Sequence, residues 1–264
     1  MNHKQIEMSD QQADLFKAVQ MRELDTVKKI LKLGTGPNFH NLDGSTPLTH
    51  AIRNSQLDMI QLLLLYGADA NYPESDEKTP LSIAVDSYQI DVIKTLLEGG
   101  ANPNTPDATG HTVFTQQILH GTIEMMKILL EAGADANTKV DDKIALEFAL
   151  EVNDHEKLTT LLHGGANPNI QDDNGHTVLM KEVLKNRMDI IAPLLQYGTN
   201  TTLQGKDGET ALWLAVKVNN PEMVKRLLEA GANPWLETNT GETPLKHAQD
   251  KGYIEITTIL EAVM

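Results

Sequence analysis

Histidine and aspartate are the residue types in this sequence that could do metal or acid–base chemistry. Nine histidines are present, but none stands in the His-Glu-x-x-His spacing of a zinc site, and the sequence has no Cys. Asp141-Asp142 and Asp172-Asp173 could serve as a carboxylate pair or a calcium site. Each pair lies in a predicted turn, where Asp commonly caps or solvates the backbone. Since nucleophile elbows and phosphate-binding or dinucleotide-binding glycine patterns are also missing, we predict that the chain is not an enzyme and uses no metal or cofactor.

The acidic composition narrows the class of partner. There are 22 Lys and Arg against 37 Asp and Glu, which gives a formal net charge of −15. Such a charge is repelled by nucleic-acid phosphates and by anionic membranes. No apolar run approaches the roughly 20 residues that span a bilayer. We therefore predict a protein partner, with no nucleic acid and no membrane insertion.

A repeat of 33 residues runs through the chain. Thr46, Thr79 and Thr112 follow one another at intervals of 33, and Thr177, Thr210 and Thr243 do the same. Ile144 fills the longer gap between the two sets. A second marker is the Gly that begins a Gly-Ala or Gly-Thr pair, which recurs in most copies at about the same interval of 33 residues. Eight periods of 33 account for the whole length of 264 residues, so the repeats leave almost no room for another domain.

The period sets the predicted domain organisation. We expect a polar lead-in over residues 1–11 and a single repeat domain over residues 12–264. The copies, numbered one to eight along the chain, are predicted at about 12–42, 43–75, 76–108, 109–140, 141–173, 174–206, 207–239 and 240–264.

Each copy has the signals of two short helices. Thr can cap the first helix, and the Pro that often follows suits the first helical position, whose N–H needs no partner. A second helix carries apolar residues at helical spacing and ends at Gly, which tolerates a left-handed conformation. Helices this short cannot bury their apolar faces alone, so neighbouring copies must stack. The sequence predicts an all-α solenoid of helix-turn-helix units joined by β-hairpin-like turns.

The repeated segments resemble the ankyrin-repeat family. The opening Gly44-Ser-Thr-Pro-Leu48 and the ending Leu129-Leu-Glu-Ala-Gly-Ala-Asp-Ala-Asn137 match its pattern closely, and the resemblance extends from Gln12 to Met264. It implies a non-enzymatic module that holds a protein partner in a concave groove. The family's usual His after Thr-Pro-Leu is replaced in every copy, and side chains at that position face the concave side in this family. The residues that replace it are Thr49, Ser82, Thr115, Glu147, Met180, Trp213 and Lys246.

Two surfaces are candidates for the partner. The first is an apolar and basic patch in the groove of copies six and seven, made by Met180, Lys181, Leu184, Trp213, Lys217, Val218 and Trp235. Trp and Met are enriched in interface cores, although both indoles could equally be packing residues. Leu119 and Tyr72 are weaker candidates. The second surface is a row of acidic turn tips, including Asp76, Asp141 and Asp173, which favours a basic partner, although Asp also belongs to the turn pattern.

Copies four to six depart from the pattern. Gln117 and Glu182 stand at a tightly packed Ala site, and we expect each side chain to reach solvent through a small helix shift; a polar recognition site is the alternative. His155 and Lys157 replace apolar residues in copy five, which predicts a wetter convex face. Pro193 predicts a kink or soft hinge after copy six, unless neighbouring contacts absorb it.

The sequence leaves several roles open. An inhibitor or immunity protein that occludes a partner enzyme needs one surface, whereas a scaffold or adaptor needs two. A structural spacer, and a metal or small-ligand binder that uses the acidic turns, are further alternatives. We expect a monomer, because both end copies are polar. A cytoplasmic location is the default; a removed leader peptide would make the protein periplasmic or secreted.

Overall fold

The computed structural model describes residues 8–107, 109–140 and 143–263, and most of them are helical. The chain forms two compact units that divide after Asp135, here called unit 1 and unit 2. The prediction of an all-α fold built from helix-turn-helix copies is confirmed. The copy bounds and the single domain stay predictions. Residues 1–7 of the predicted lead-in lie outside the described residues.

Unit 1 contains four pairs of short helices, which belong to copies one to four. The first helix of each pair packs against the second, and first helices of adjacent copies pack against each other. The helices are α1 (Asp10–Gln20), α2 (Leu24–Lys32), α3 (Pro47–Arg53), α4 (Leu57–Leu65), α5 (Pro80–Asp86), α6 (Ile90–Glu98), α7 (Val113–His120) and α8 (Ile123–Glu131).

Unit 2 begins with a two-stranded antiparallel hairpin and continues with copies five to eight. The strands are β1 (Lys139–Val140) and β2 (Lys143–Ile144). The helices are α9 (Ala145–Glu151), α10 (His155–His163), α11 (Val178–Leu184), α12 (Met188–Gln196), α13 (Ala211–Lys217), α14 (Pro221–Glu229), α15 (Pro244–Lys251) and α16 (Ile254–Glu261). Helix α12 is one helix through Pro193. We call the first helix of each pair an inner helix and the second an outer helix.

The repeated threonines begin the inner helices as predicted. In copy two, Thr46 is the N-cap of α3, and its side chain accepts a hydrogen bond from the backbone N–H of Thr49 while Pro47 takes the first helical position. The same cap forms at Thr79, Thr112, Thr177, Thr210 and Thr243. Ile144 cannot accept such a bond, and α9 begins without a side-chain cap.

The predicted hairpin-like turns are also present. Besides β1 and β2, six turns share one backbone hydrogen bond, from the N–H of a residue to the carbonyl oxygen four residues later. The donors are Asn41, Glu74, Asp107, Asp172, Gly205 and Thr238. In most of these turns a Gly with positive φ follows three residues after the donor, because the reversal requires a left-handed conformation that Gly adopts without strain.

A row of asparagines, here called the asparagine ladder, joins successive copies on the side of the Gly-Ala segments. In unit 1, the Asn38 amide donates to Gly67 O and accepts from Asp69 N–H, and Asn71 makes the same pair of bonds to Gly100 and Asn102. In unit 2, the Asn169 amide donates to Gly198 O and accepts from Asn200 N–H. These bonds satisfy backbone groups at the ends of the outer helices, which would otherwise lack partners.

Aliphatic side chains fill the core of both units, as the low aromatic content predicts. Most outer helices contribute a fully buried Leu to the core at the same repeat position, and most inner helices contribute a buried Ala. Phe114 is a fully buried aromatic residue in this aliphatic setting.

Candidate partner-binding surfaces

Two residues of the predicted groove patch lie in the core of unit 2. Met180 is 1% exposed and Trp213 is 7% exposed. Their backbone N–H groups donate to the capping side chains of Thr177 and Thr210, and their side chains are buried. The interpretation of this position as an open groove position is therefore wrong for these two side chains, which offer almost no surface to a partner. Thr49 and Thr115 are buried at the same position in unit 1.

Lys181 is held by carboxylates of its own chain. Its Nζ lies 2.5 Å from Glu147 Oε1 and 2.8 Å from Asp172 Oδ2. Burial favours the neutral amine, but the hydrogen bonds to both carboxylates outweigh it and raise the pKa of Lys181. Burial would also raise the pKa of Asp172, yet the bonds from Lys181 and from the His176 backbone lower it. Lys181 therefore connects copies five and six and is not a free cation.

A polar cleft of about 150 Å³ opens between α9 and α11 beside this cluster. Each of its three lysines is paired with a glutamate or aspartate of unit 2. The lining residues are Lys143, Glu147, Leu150, Glu151, Val178, Lys181, Glu182 and Lys185. Because the charges of the lining are balanced, the cleft has no strong preference for a ligand of either sign.

Glu182 is buried, contrary to the expectation that its side chain reaches solvent. Its side chain is 1% exposed, and Lys185 Nζ donates to Oε1 at 2.7 Å. Arg187 Nη1 lies 3.2 Å from Oε2 without the alignment of a hydrogen bond. Two cations thus compensate a carboxylate at a position where other copies have Ala. The sequence carried the signal, since Lys185 and Arg187 follow Glu182 closely, but their roles were missed.

The two tryptophans of the chain have different environments. The Trp213 ring packs against the His247 ring at a centroid distance of 4.8 Å, and Lys217 Nζ lies 5.4 Å from the indole centroid. His247 Nδ1 lies 3.0 Å from Glu242 Oε1. Trp235 is 57% exposed, and among the described residues no aromatic contact joins it to Trp213. The indoles therefore do not form the single patch that their closeness in sequence suggested.

Trp235 stands at the asparagine-ladder position of copy seven. Its backbone N–H donates to Asn233 Oδ1, as in the other copies, but an indole cannot make the ladder's two amide bonds. Leu184 is 39% exposed, Lys217 is exposed and Val218 is half-buried. These four residues keep surface available to a partner in unit 2.

The remaining predicted residues that are described lie in unit 1, except for Asp173. Tyr72 is half-buried and stacks on His40 at a centroid distance of 5.0 Å, and the His40 ring bonds to Pro73 O. Leu119 is half-buried on α7. Asp76 is exposed in the turn of copy three. Of the other acidic predictions, Asp173 is an exposed turn residue of unit 2, and Asp141 lies outside the described residues.

Acidic side chains line two clefts of unit 1 that share Asp76. The first, about 190 Å³, runs between the turns of copies three and four and has Asp86 and Asp107 in its wall. The second, about 380 Å³, includes Asp43 and the Arg53–Glu74 pair. Arg53 donates to both oxygens of Glu74, whose side chain is 6% exposed. Within the described residues, no lysine or arginine lies within ion-pair distance of Asp43, Asp76, Asp86 or Asp107. Lys78 also lines the first cleft, and the charge of Arg53 acts on Asp76 and Asp86 over a longer distance.

Asp107 fixes the turn at the edge of the first cleft. Its Oδ1 accepts from Thr109 Oγ1 at 2.6 Å and from the backbone N–H groups of Thr109 and His111. These bonds, that of the Thr109 hydroxyl first, lower the pKa of Asp107. The carboxylate is therefore charged at neutral pH, and Gln116 Nε2 donates to its other oxygen at 3.2 Å.

The described residues show no centre for metal chemistry. His, Asp and Glu side chains in that part of the chain form no group of three that could hold a metal ion. None of the described helices is long and apolar enough to cross a membrane.

The family model described as ankyrin repeats, three copies, matches residues 15–107, 146–238 and 179–262. These matches cover well over half of the chain. The chain belongs to the ankyrin-repeat family. The ankyrin-repeat fold serves as a protein–protein interaction module and is typically non-enzymatic. No curated protein matches the chain at a significant level.

Proposed function

We propose that this ankyrin-repeat protein binds a protein partner with a basic surface along the inner-helix and turn face of unit 1. The face, here called the acidic face, comprises the two clefts and the carboxylates of Asp43, Asp76, Asp86 and Asp107. The observation that carries the proposal is Asp76, an exposed carboxylate that lines both clefts and has no cation at ion-pair distance.

Charge and shape support the acidic face over the groove patch of unit 2. Unpaired carboxylates attract a basic surface, raise its association rate and penalise acidic competitors. Partner side chains that enter the adjoining clefts lose part of their hydration. The lower local dielectric constant then strengthens each contact between opposite charges. In unit 2, Met180 and Trp213 are buried and Lys181 is paired, so less of the predicted patch is available.

Within this proposal, an inhibitor that occludes a partner enzyme and an adaptor that holds two partners differ in the surfaces that they need. An inhibitor through the acidic face alone reduces the turnover of its partner. An adaptor also requires a second surface, for which exposed Trp235 and Leu184 in unit 2 are the candidates. A turnover assay with the captured partner separates these roles.

The experiment compares two charge variants of the full chain. Asp76→Asn/Asp86→Asn removes two charges from the acidic face, and Asp91→Asn/Glu98→Gln removes two exposed charges from outer helix α6 of the same unit. Both are titrated with a fluorescent oligolysine peptide at low salt, with oligoglutamate as the opposite probe. We expect the first variant to lose roughly three- to tenfold in oligolysine affinity, and the second to bind almost as the native chain does.

Equal losses in the two variants would show that net charge, and not the acidic face, attracts the basic probe. That result would overturn the proposed location. Native binding of oligoglutamate in preference to oligolysine would overturn the predicted class of partner. The same pair of variants then tests any partner captured from cells, since only binding through the acidic face distinguishes them.

A further inference from the structure

Copies five and six place ionisable side chains at three positions where most other copies have small, apolar or uncharged polar residues. Lys157 of α10 replaces a buried apolar residue, which in six other copies is Met59, Val92, Met125, Ile190, Met223 or Ile256; copy one has Thr26. Glu182 of α11 stands where most copies have Ala, such as Ala51, Ala84, Ala149, Ala215 and Ala248, and where copy four has Gln117. Arg187, just before α12, stands where copies two and three have the amides of Gln56 and Gln89, and where copies one and five have Glu23 and Asp154.

All three side chains are largely buried. The exposed fraction is 12% for Lys157, 1% for Glu182 and 21% for Arg187. Removing charges from water has a cost that ion pairing often only balances, whereas an apolar or Ala residue at the same place has no such cost. The junction between copies five and six therefore depends on its ion pairs to a degree that the other junctions of unit 2 do not.

Arg187 is the residue that joins the two copies. Its Nη1 donates to Leu150 O of α9 at 3.1 Å, and its Nη2 donates to Asn153 Oδ1. The same guanidinium contacts Glu182 and lies 3.7 Å from Asp189 Oδ2 in copy six. Asp189 in turn pairs with His155 of copy five at 2.8 Å. This network therefore crosses the junction in both directions.

Backbone packing across this junction is sparse. Inner helix α11 packs closely against α13, and α13 packs closely against α15, but α9 and α11 approach each other less. The polar cleft described above lies between them. Three ion-paired lysines line the same cleft: Lys143 with Glu151, Lys181 with Glu147 and Asp172, and Lys185 with Glu182.

We propose that Arg187 and Asp189 of copy six form an electrostatic latch with Leu150, Asn153 and His155 of copy five, in which Glu182 pairs with Arg187, and that this junction opens locally before the rest of unit 2 unfolds. Proteins open in contiguous units, and the regions that open first have few buried apolar contacts. Asp189 of the latch is 55% exposed, and Lys185, which pairs with Glu182, is 51% exposed. Salt therefore reaches and screens the latch, which makes the opening sensitive to ionic strength.

The test is amide hydrogen exchange of the full chain, followed by mass spectrometry at about 0.05 M and about 1 M NaCl, where the screening length differs severalfold. Peptides from α9 and α11 report on the junction, and peptides from α13 and α14 serve as the reference in the same unit. We expect junction peptides of the native chain to exchange roughly threefold faster or more at high salt, with little change in the reference.

Two variants test whether the latch causes the salt-dependent exchange at the junction. Arg187→Gln leaves Glu182 with one fewer cation, so junction exchange at low salt should rise by roughly tenfold or more. Glu182→Ala/Arg187→Gln installs the pair of residues that copies two and three have at these positions. Its junction exchange should return toward the native rate and lose the part of the salt dependence that Glu182 and Arg187 cause, while the pairs of Lys181 with Glu147 and Asp172 remain.

Native junction peptides that exchange as slowly as the reference at both salt concentrations would overturn the proposal. A double variant that keeps the full salt response would also overturn it, because the response would then come from elsewhere. If Arg187→Gln fails to fold, the native chain and the double variant still decide between these outcomes.

Discussion

The inner helices and turns of unit 1 and unit 2 have the same backbone plan but treat their carboxylates in opposite ways. In unit 1, Asp76 and Asp86 are exposed beside open clefts and lack a lysine or arginine partner. In unit 2, Glu147 and Asp172 are paired with Lys181 of α11, and Glu182 is paired with Lys185, the C-cap of that helix. These carboxylates of unit 2 are therefore held by ion pairs, whereas Asp76 and Asp86 of unit 1 are exposed and have none.

The difference shows that an acidic residue in a repeat acquires its role from the neighbouring copy. Asp107 and Asp172 occupy the same repeat position and both fix a turn through their own backbone. Only Asp172 has a lysine one helix turn into α11, because copy six has Lys181 where copy four has Gln116. One side chain on the next helix thus decides whether the turn aspartate is held in an ion pair.

The largest effect on stability should come from Trp213, a core residue that the groove prediction places on the surface. Replacing Trp213 with Ala should reduce the free energy of unfolding of unit 2 by about 3–5 kcal/mol, because a buried aromatic leaves a cavity. Ser82→Ala, at the same repeat position in unit 1, should cost about 1 kcal/mol or less. Urea unfolding of both variants measures the contrast. Similar losses would mean that the two inner faces are equally closed.

A second contrast compares the paired aspartate with its counterpart. Asp172→Asn weakens the contact with Lys181, so we expect a loss of about 1–3 kcal/mol in the free energy of unfolding. Asp107→Asn keeps an oxygen that can accept the turn bonds and loses no ion pair, so its cost should stay below about 1 kcal/mol. Thermal and urea unfolding give both values. A larger loss for Asp107 would contradict the assignment of structural carboxylates to unit 2.

Acid sensitivity follows from the direction of the pKa shifts. Hydrogen bonding to His155, with a contribution from Arg187, lowers the pKa of Asp189, and the pKa of Asp172 is also lowered. A carboxyl group with a lowered folded pKa stabilises the fold above its unfolded pKa, and this contribution disappears as pH falls below about 4. We expect the melting temperature of the native chain to fall steeply there, and that of Asp172→Asn/Asp189→Asn to fall less. Parallel curves would exclude these two groups as the cause.

The smallest effect on stability should be in the acidic face. Asp76→Asn/Asp86→Asn should change the free energy of unfolding by no more than about 0.5 kcal/mol, because these exposed carboxylates have no ion pair to lose. Trp235→Ala should change the free energy of unfolding by a similarly small amount, since the indole is more than half exposed. Calorimetry at neutral pH checks both. If Asp76→Asn/Asp86→Asn clearly destabilises the protein, these two carboxylates have a structural role, and the proposal that they bind a partner is weakened.

The periodic residues predicted the local structure well. Thr46 and its equivalents form the caps that the Thr-Pro-Leu pattern indicates, and Gly residues with positive φ are found in the turns. These outcomes depend on contacts within one copy, so a single sequence contains the necessary information. Burial of Trp213 as a packing residue was one of two alternatives that the sequence left open. Burial of Met180 was not predicted, because it depends on the direction of a side chain relative to the next helix. Burial of Glu182 was not predicted either, although Lys185 and Arg187, the cations that compensate it, follow it closely in the sequence.

The sequence by itself determined the repeat period, the helix caps, the turns and the acidic character of this protein, because each follows from residues close together in the chain. Tertiary structure decided which carboxylates are paired, which tryptophan is exposed and where a charged side chain is tolerated in the core. Such pairing can cross a junction between copies, as between Lys181 and Glu147, which are 34 positions apart in the chain. A shift of one side chain across such a junction changes its pairing and burial, and the pattern of residue types within a copy does not encode that shift.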